Sequence, residues 1–549
     1  MEWAWAGGAP VLLQARPITA LPPPARRANR LQQMVALMAA EMVAVRPYPL
    51  DATAWGPAIE GSIVPLFALL GLAGPFFDRF FVEEDGVIVR LSGRPPIRPT
   101  LGILLAPLRI LQLARRYNPL DSRTDPVLVQ AQVRAAALEA RDFSALSWNG
   151  VLATLHEALA LPLPLAGTVR QRYYPRALLS TALLRLALAL WRRGDRFGVL
   201  LSGVETKTLE ANRALETLAA HIRADPFLAA AFARDSAGDL TAALEQAPSG
   251  RTFLVYLQDF LNRYGHREAV ISTALLPTWR DAPETVLGIL KGLATAPPRP
   301  DPERPAWEVA CDELLVLPLL QLPPVHSFFL RLLAEARCFT RIREDTHFDA
   351  TLALPIVRRA ALELGRRLVT GGVLDTPEEV FHLKLAELER MEDSSPPPRA
   401  RNLRALVLRR KAKRAALADR PLVDTRLAQP AALDGDILLR GTSGSRGVVE
   451  GTVCVVHDAS EFGKLRSGEV LVAPYTNPAW TPLFQRAGAV VVDSGGAGSH
   501  AAIVAREYGI PAVMGTVEGT RRLVDGQRVR VDGDRGTVGR PRDHSSVPN

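Results

Sequence analysis

The chain has 549 residues, 48% hydrophobic and 22% charged, with 66 Lys and Arg against 57 Asp and Glu for a formal net charge of +9. This length accommodates three or four domains of ordinary size and sizeable cores without disulfide or metal staples. The composition excludes a mainly disordered chain, and a mean hydropathy of +0.07 excludes a polytopic membrane protein.

Residues 1–20 predict two short strands, Glu2–Ala6 and Val11–Pro17, joined at Gly7-Gly8 as a hairpin. A lone two-stranded hairpin is marginal in water, so this one predicts a sheet partner that the neighbouring sequence does not supply. From about 25 to 395 the pattern is mostly helical. Arg27–Val45, Asp125–Ala140, Ser180–Arg193, Thr206–Ala224 and Val357–Thr370 carry apolar residues at helical spacing. Proline-rich breaks punctuate them at Pro22–Pro24, Pro95-Pro96, Pro297–Pro300 and Pro323-Pro324. Gly86–Arg90 is a short β-like piece. The longest uncharged runs, Gly61–Phe77 and Leu314–Leu330, are interrupted by proline and read as buried helix of a core, not as membrane spans.

Residues 392–432 form a junction. Glu392–Pro398 is a linker signal, and Arg399–Arg420 is a basic helix expected to be solvated. From 433 the texture turns β-rich: Asp436–Arg440, Gly447–Val456, Glu469–Ala473, Ala489–Asp493 and Arg528–Val531, interrupted by one helix near His500–Tyr508. The fold class expected is α+β multidomain, a mostly helical central domain followed by a compact α/β domain of about 100 residues.

Only six lysines occur, so the basic excess is arginine and fits the codon usage of a GC-rich genome. No long basic stripe interleaved with aromatics predicts a nucleic-acid partner. Cys311, Cys338 and Cys454 have no metal-ligand spacing, and with no signal peptide at Met1-Glu2-Trp3 they predict reduced thiols in the cytoplasm.

The stretch with most chemistry is Asp493-Ser494-Gly495-Gly496-Ala497-Gly498-Ser499-His500-Ala501-Ala502 through Arg506 to Pro511. A strand runs into a glycine-rich turn, Ser499 is a good N-cap, Gly509 a left-handed C-cap, and Pro511 stops the helix. His500 then stands at the first helical position, beside unpaired N–H groups and the positive end of the dipole, a place that suits phosphate. Its imidazole there is either a nucleophile toward phosphorus or a buried structural histidine. The small residues around it would admit a large phosphodonor, whereas the G-x-G-x-x-G spacing of a dinucleotide site is absent.

Gly495-Gly496, Ser499–Glu507 and Gly509-Ile510-Pro511, preceded by Thr476–Phe484, resemble the phosphohistidine swivelling domain of the phosphoenolpyruvate-utilising enzymes, over roughly 438–540. That family more often has Asp where Asn477 stands. The resemblance implies that His500 is phosphorylated, with Gly495, Gly496, Ser499 and Arg506 supporting the phosphate. Phe260–Arg267, Pro277–Trp279, Ile342–Asp345, Arg358-Arg359 and Val380–Leu383 resemble the central, acceptor-binding domain of rifampicin phosphotransferases. After Tyr264–Arg267 that family usually carries a Gly and two acidic residues where this chain has Glu268, Ile271 and Thr273, which puts the antibiotic substrate in doubt. His266, Arg267 and Arg343 are weak candidates for catalysis; helix-packing salt bridges are expected for the arginines, and His382 is expected in the core.

Glu2-Trp3-Ala4 and Leu13–Thr19 resemble the last two strands of the family's ATP-grasp domain. The resemblance implies Glu2 at the Mg²⁺ site and Gln14 and Arg16 at the nucleotide, residues that would bind nothing without the rest of that domain. The domains expected are thus a hairpin edge at 1–20, a helical domain at 21–395, a linker and basic helix at 396–432, the swivelling domain at 433–540 and a tail at 541–549. The function implied is a dikinase-type phosphotransferase component. ATP and Mg²⁺ would be bound by a missing or separate ATP-grasp polypeptide. The phosphoryl group would pass through His500 to a small-molecule acceptor, with 392–432 as hinge, and with no nucleic-acid or membrane partner. The alternatives are a non-catalytic ligand-binding protein and a fragment of a phosphoenolpyruvate synthase.

Overall fold

The computed structural model describes residues 2–6, 9–14, 43, 45–74, 81–91, 98–267, 273–295, 304–391, 400–418, 422, 436–477, 480–496 and 499–541. Most of the predicted helix Arg27–Val45, together with Arg16, Glu268 and Ile271, lies outside them. The predicted hairpin is present: β1 (Glu2–Ala6) pairs antiparallel with β2 (Ala9–Gln14), with Glu2 opposite Gln14.

The helical region contains α1 (Gly56–Leu69), the ribbon β3 (Phe81–Glu84) and β4 (Val87–Leu91), α2 (Ala106–Arg116), α3 (Pro126–Glu139), α4 (Trp148–Leu159) and α5 (Thr168–Leu190). It continues with α6 (Lys207–Ala224), α7 (Pro248–Tyr264), α8 (Pro283–Thr295), α9 (Pro323–Ala350) and α10 (Ala353–Thr370). Several helices start where the sequence predicts. Asp125 and Thr206 cap α3 and α6 by accepting N–H bonds from Val127 and Leu209. Pro323-Pro324, expected to break structure, instead open α9, because proline is tolerated in a first turn. Ser180–Arg193 is the second half of α5, which already begins at Thr168 and contains Pro175.

At 28 residues α9 is about 42 Å long. It connects three apolar clusters. Phe329 and Leu333 belong to one with Leu184 and Leu188 of α5, while Cys338 and Ile342 belong to the large cluster of α3, α4 and α10. Phe348 belongs to the cluster of α6, α7 and α8. The run Trp148–Leu190 is apolar and long enough to cross a membrane, but 56% of its apolar window is buried in the fold.

The basic helix, α11 (Ala400–Ala415), is largely exposed, as expected, but Val407 and Arg410 are buried on its inner side. Arg410 is buried, donates to both carboxylate oxygens of Glu387 and to the carbonyls of His382 and Asp85, and leaves no room for a side chain at Gly86. Arg414 lies 3.6 Å from the Tyr48 ring centroid and bonds the Pro47 carbonyl. Charge runs read from sequence as solvent-facing because their carboxylate partners, here residues 84, 379 and 387, come from distant segments. Thus α11 is part of the helical region.

The C-terminal part forms an eight-stranded mixed sheet from β5 (Ile437–Arg440), β6 (Thr442–Ser445), β7 (Val448–Val455), β8 (Val470–Ala473), β9 (Ala489–Val492), β10 (Ala512–Met514), β11 (Arg528–Asp532) and β12 (Thr537–Gly539). The order is β5-β12-β11-β7-β8-β9-β10-β6, with β7 to β10 parallel. Among the described residues three α-helices, not one, interrupt it: α12 (Thr481–Arg486), α13 (His500–Glu507) and α14 (Gly519–Arg522). The central strands are near-continuous runs of Val and Ala because both faces are buried. Val470, Val472, Ala489 and Val491 face one cluster. Leu471, Ala473, Val490 and Val492 face the other, which runs on without interruption into α6, α7 and α8.

Candidate active site at the seam between the sheet domain and the helical region

β9 ends at Val492 and the chain turns through Ser494-Gly495-Gly496 into α13. Gly495 has φ +83, which glycine adopts without strain, and a side chain at Gly496 would meet only open space. Ser499 takes the N-cap position, its hydroxyl accepting from the Ala502 N–H at 3.3 Å. Gly509, at φ +64, follows the helix end in the left-handed region, as predicted. Ala497 and Gly498 lie outside the described residues.

His500 is buried at the first position of α13. Its Nδ1 lies 3.1 Å from Oε2 of Glu344 on α9, and both side chains are nearly excluded from solvent, at 9% and 7% exposure. Its Nε2 faces the Thr481 hydroxyl at 3.4 Å. Burial works to raise the Glu344 carboxyl, but the facing His500 imidazole, with Arg343 and His347, outweighs it and holds the group at about 2. A carboxylate that stays ionised favours a proton on Nδ1, and that tautomer leaves the lone pair on Nε2.

Further charges meet at this seam. On α13, partial burial and the neighbouring Arg343 both lower the Arg506 guanidinium. Burial and Glu344 push the Glu507 carboxyl up to about 8, against the pull of Arg506 and Arg337. Asn212 of α6 donates to the Tyr508 hydroxyl at 3.3 Å. A cavity of about 900 Å³ opens along the same seam. Trp279, Glu284 and Lys291 wall one side, and Tyr475, Trp480 and Arg486 the other.

Glu507 sets a pH dependence. A carboxyl raised from an ordinary value near 4.5 to about 8 favours the docked arrangement while protonated, and that contribution is lost as pH rises through 8. Docking of α13 against α9 is therefore expected to loosen between about pH 4.5 and 8. Amide hydrogen exchange in α13 checks this. Glu507→Gln should flatten the pH dependence, and an unchanged slope in that variant would exclude Glu507 as its source.

Of the other sequence candidates, Ser499 and Gly495 adjoin His500, and Arg506 lies on the same helix. Glu2 and Gln14 oppose one another across the hairpin, and Arg16 is outside the described residues. Among the described residues no group of three or more His, Cys, Asp or Glu is arranged to hold a metal. His266 is buried against Phe348 and lowered to about 3 by burial and Arg267. The Arg267 guanidinium lies over the Trp279 and Phe348 rings, 5.0 and 6.0 Å from their centroids. His382 is in the core, as expected, and is lowered to about 4, first by burial. Thr273, where an acidic residue is usual, is buried beside Asp51, which accepts the Ala274 N–H. A second carboxylate there would face Asp51 in a buried space. Sequence reasoning did not pair Glu344 with His500. Its only signal in the sequence is its place in Ile342–Asp345.

The family model for the phosphoenolpyruvate-utilising enzyme mobile domain matches residues 465–536, which include His500. The C-terminal sheet domain is thus similar to the mobile domain of the phosphoenolpyruvate-utilising enzymes. The model for the rifampicin phosphotransferase fourth domain matches residues 172–344, so the His500–Glu344 contact joins the mobile domain to the last residue of that second match. Over 371 residues the chain is 34% identical to chondramide synthase cmdD of Chondromyces crocatus, covering 62% of this chain and 9% of that protein. Over 356 residues it is 29% identical to rifampicin phosphotransferase of Streptomyces sviceus, covering 62% and 40%. Within the mobile domain it is 50% identical over 105 residues to a probable phosphoenolpyruvate synthase of Pyrococcus abyssi, covering 19% and 13%. The chain thus spans less than half the length of these curated relatives.

Proposed function

We propose that this chain is the transfer component of a phosphotransferase in which the mobile domain carries a phosphoryl group on Nε2 of His500 and delivers it to a small-molecule acceptor at the helical region. The observation that carries the reading is the buried contact of His500 Nδ1 with Glu344. With the phosphoryl group on Nε2 and a proton on Nδ1, the ring is a phosphoimidazolium that the Glu344 carboxylate stabilises. Attack by an acceptor oxygen on phosphorus breaks the P–Nε2 bond. The electron pair returns to Nε2, the ring leaves as neutral imidazole still protonated on Nδ1, and the acceptor's hydroxyl proton passes to solvent water. Arg343 and Arg506, two cations that raise each other's energy at this seam, would be relieved by the charge of the phosphoryl group. The seam cavity of about 900 Å³, with its aromatic walls, is of a size that holds a small organic acceptor.

Charging of His500 belongs to a different position of the mobile domain, on an ATP-grasp domain supplied by a separate polypeptide or by further chain. The hairpin contributes a carboxylate, Glu2, and an amide, Gln14, at opposed positions, donor types suited to Mg²⁺ and a nucleotide. Bound there, Mg·ATP would supply the phosphoryl group. The swivel lets one histidine serve two distant sites.

The test is to mix the chain with a candidate ATP-grasp polypeptide and β- or γ-labelled ATP and look for acid-labile label on the protein. Label is expected on the wild type and none on His500→Ala. Equal labelling of the two, or none on either, would reject the proposal.

A further inference from the structure

The helix α2 is built the wrong way round for a soluble fold. Its buried side is formed by Ala106 and Ala114, while Leu101, Leu104, Leu105, Leu108 and Leu111, on α2 and the turn before it, face outward at helical spacing. Leu101 is 86% and Leu104 77% exposed. Beside it runs α5, whose outer side shows Leu178, Leu179, Leu186 and Leu190, the last 74% exposed. Scattered exposed leucines need no explanation, but an aliphatic face spanning two packed helices does.

The two segments that carry this face hold basic but no acidic residues. Residues 86–120 and 158–194 contain no Asp or Glu. At the chain's own frequency, 57 in 549, those 72 positions would hold about seven. Arginine-rich codon usage accounts for many arginines but not for the missing acids. Exposed Arg98, Arg109, Arg115 and Arg116 border the α2 side, and Arg192 and Arg193 border the end of α5. None of the six has a carboxylate within ion-pair distance among the described residues.

We infer that the α2–α5 face docks on an anionic lipid bilayer, with the leucines entering the acyl boundary and the arginines meeting the lipid phosphates. A strongly amphipathic arginine-bearing helix of low overall hydrophobicity is the type that lies in a membrane interface. The exposed apolar side chains of α2 and α5 are all aliphatic, of a kind that can enter the acyl boundary. The absence of acids suits a surface that is negative everywhere rather than a patterned protein partner. This is peripheral attachment, compatible with α5 being half-buried in the fold, and it does not depend on the role of His500.

The test is co-sedimentation of the full chain with phosphatidylcholine vesicles and with vesicles containing about one-third phosphatidylglycerol. Binding to the anionic vesicles is expected to be at least about tenfold stronger and to weaken in 0.5 M salt. Leu104→Glu/Leu108→Glu and, separately, Arg115→Glu/Arg116→Glu should each abolish it while leaving the far-UV circular dichroism unchanged. The arginine pair, lying in the rim, keeps the test valid should the leucine variant misfold. Absence of vesicle binding, binding that ignores lipid charge, or self-association relieved by the same variants would overturn the proposal, the last showing that a second copy covers this face.

Discussion

Glu344→Gln is expected to slow loss of the phosphoryl group from His500 by about a hundredfold or more, while the rate at which His500 is charged stays unchanged. Glutamine keeps an oxygen that can accept from Nδ1–H but removes the negative charge that holds a proton there. The neutral phosphohistidine that results has a poorer leaving group, and placed proton transfers of this kind contribute about 10² to 10⁴ in rate. Charging is spared because Glu344 belongs to α9, which in the proposed swivel the mobile domain leaves to meet a nucleotide site. The sign of the pH effect follows from a carboxyl lowered to about 2 from near 4.5: its contribution is complete above about pH 4.5 and lost as pH falls through 2. Single-turnover decay of labelled phosphoprotein measures the effect. Equal decay in the variant would mean that the His500–Glu344 contact only packs the two parts together.

Asp493→Ala is expected to destabilise the mobile domain by about 3 kcal/mol, because hydrogen bonds to charged groups contribute about 1.5–3 kcal/mol each and are not additive. The Asp493 carboxylate at the end of β9 accepts from the Thr516 hydroxyl at 2.8 Å, from the Thr520 hydroxyl and N–H at 2.5 and 3.1 Å, and from the Gly519 N–H. It ties the strand that leads into the His500 loop to α14, and a side chain at Gly519 would collide with it. A loss of that size should lower the melting temperature of a domain this small by roughly 10 °C or more. Calorimetry of the variant decides the matter. A shift of only a degree or two would show that the network is replaceable by water.

The local frame of the site was legible in the chain. Val and Ala runs, a glycine turn, a Ser N-cap and a Gly-Ile-Pro stop each act within a few residues, so β9, the turn and α13 could be placed from sequence. Short strands such as Thr442–Ser445, Ala512–Met514 and Thr537–Gly539 escaped because none holds a run of four apolar residues like that of Ala489–Val492, so sheet neighbours rather than local pattern stabilise them. Likewise the burial of Arg410 within the otherwise exposed α11 escaped because its carboxylate partner, Glu387, comes from a separate segment.

A length of 549 residues leaves room for three or four domains, and the net charge of +9 does not itself name a partner. By itself the sequence determined that a histidine stands at the start of a helix behind a glycine turn, since capping and turn chemistry are local. Only the tertiary structure decided what that histidine faces. Glu344 and His500 are 156 positions apart, on two units with continuous apolar packing between them, and no periodicity in either segment encodes how one docks on the other. The same holds for the arginines of the basic excess. Composition counts them, but packing alone determines which ones pair with Glu387 in the interior and which border a face of exposed leucine.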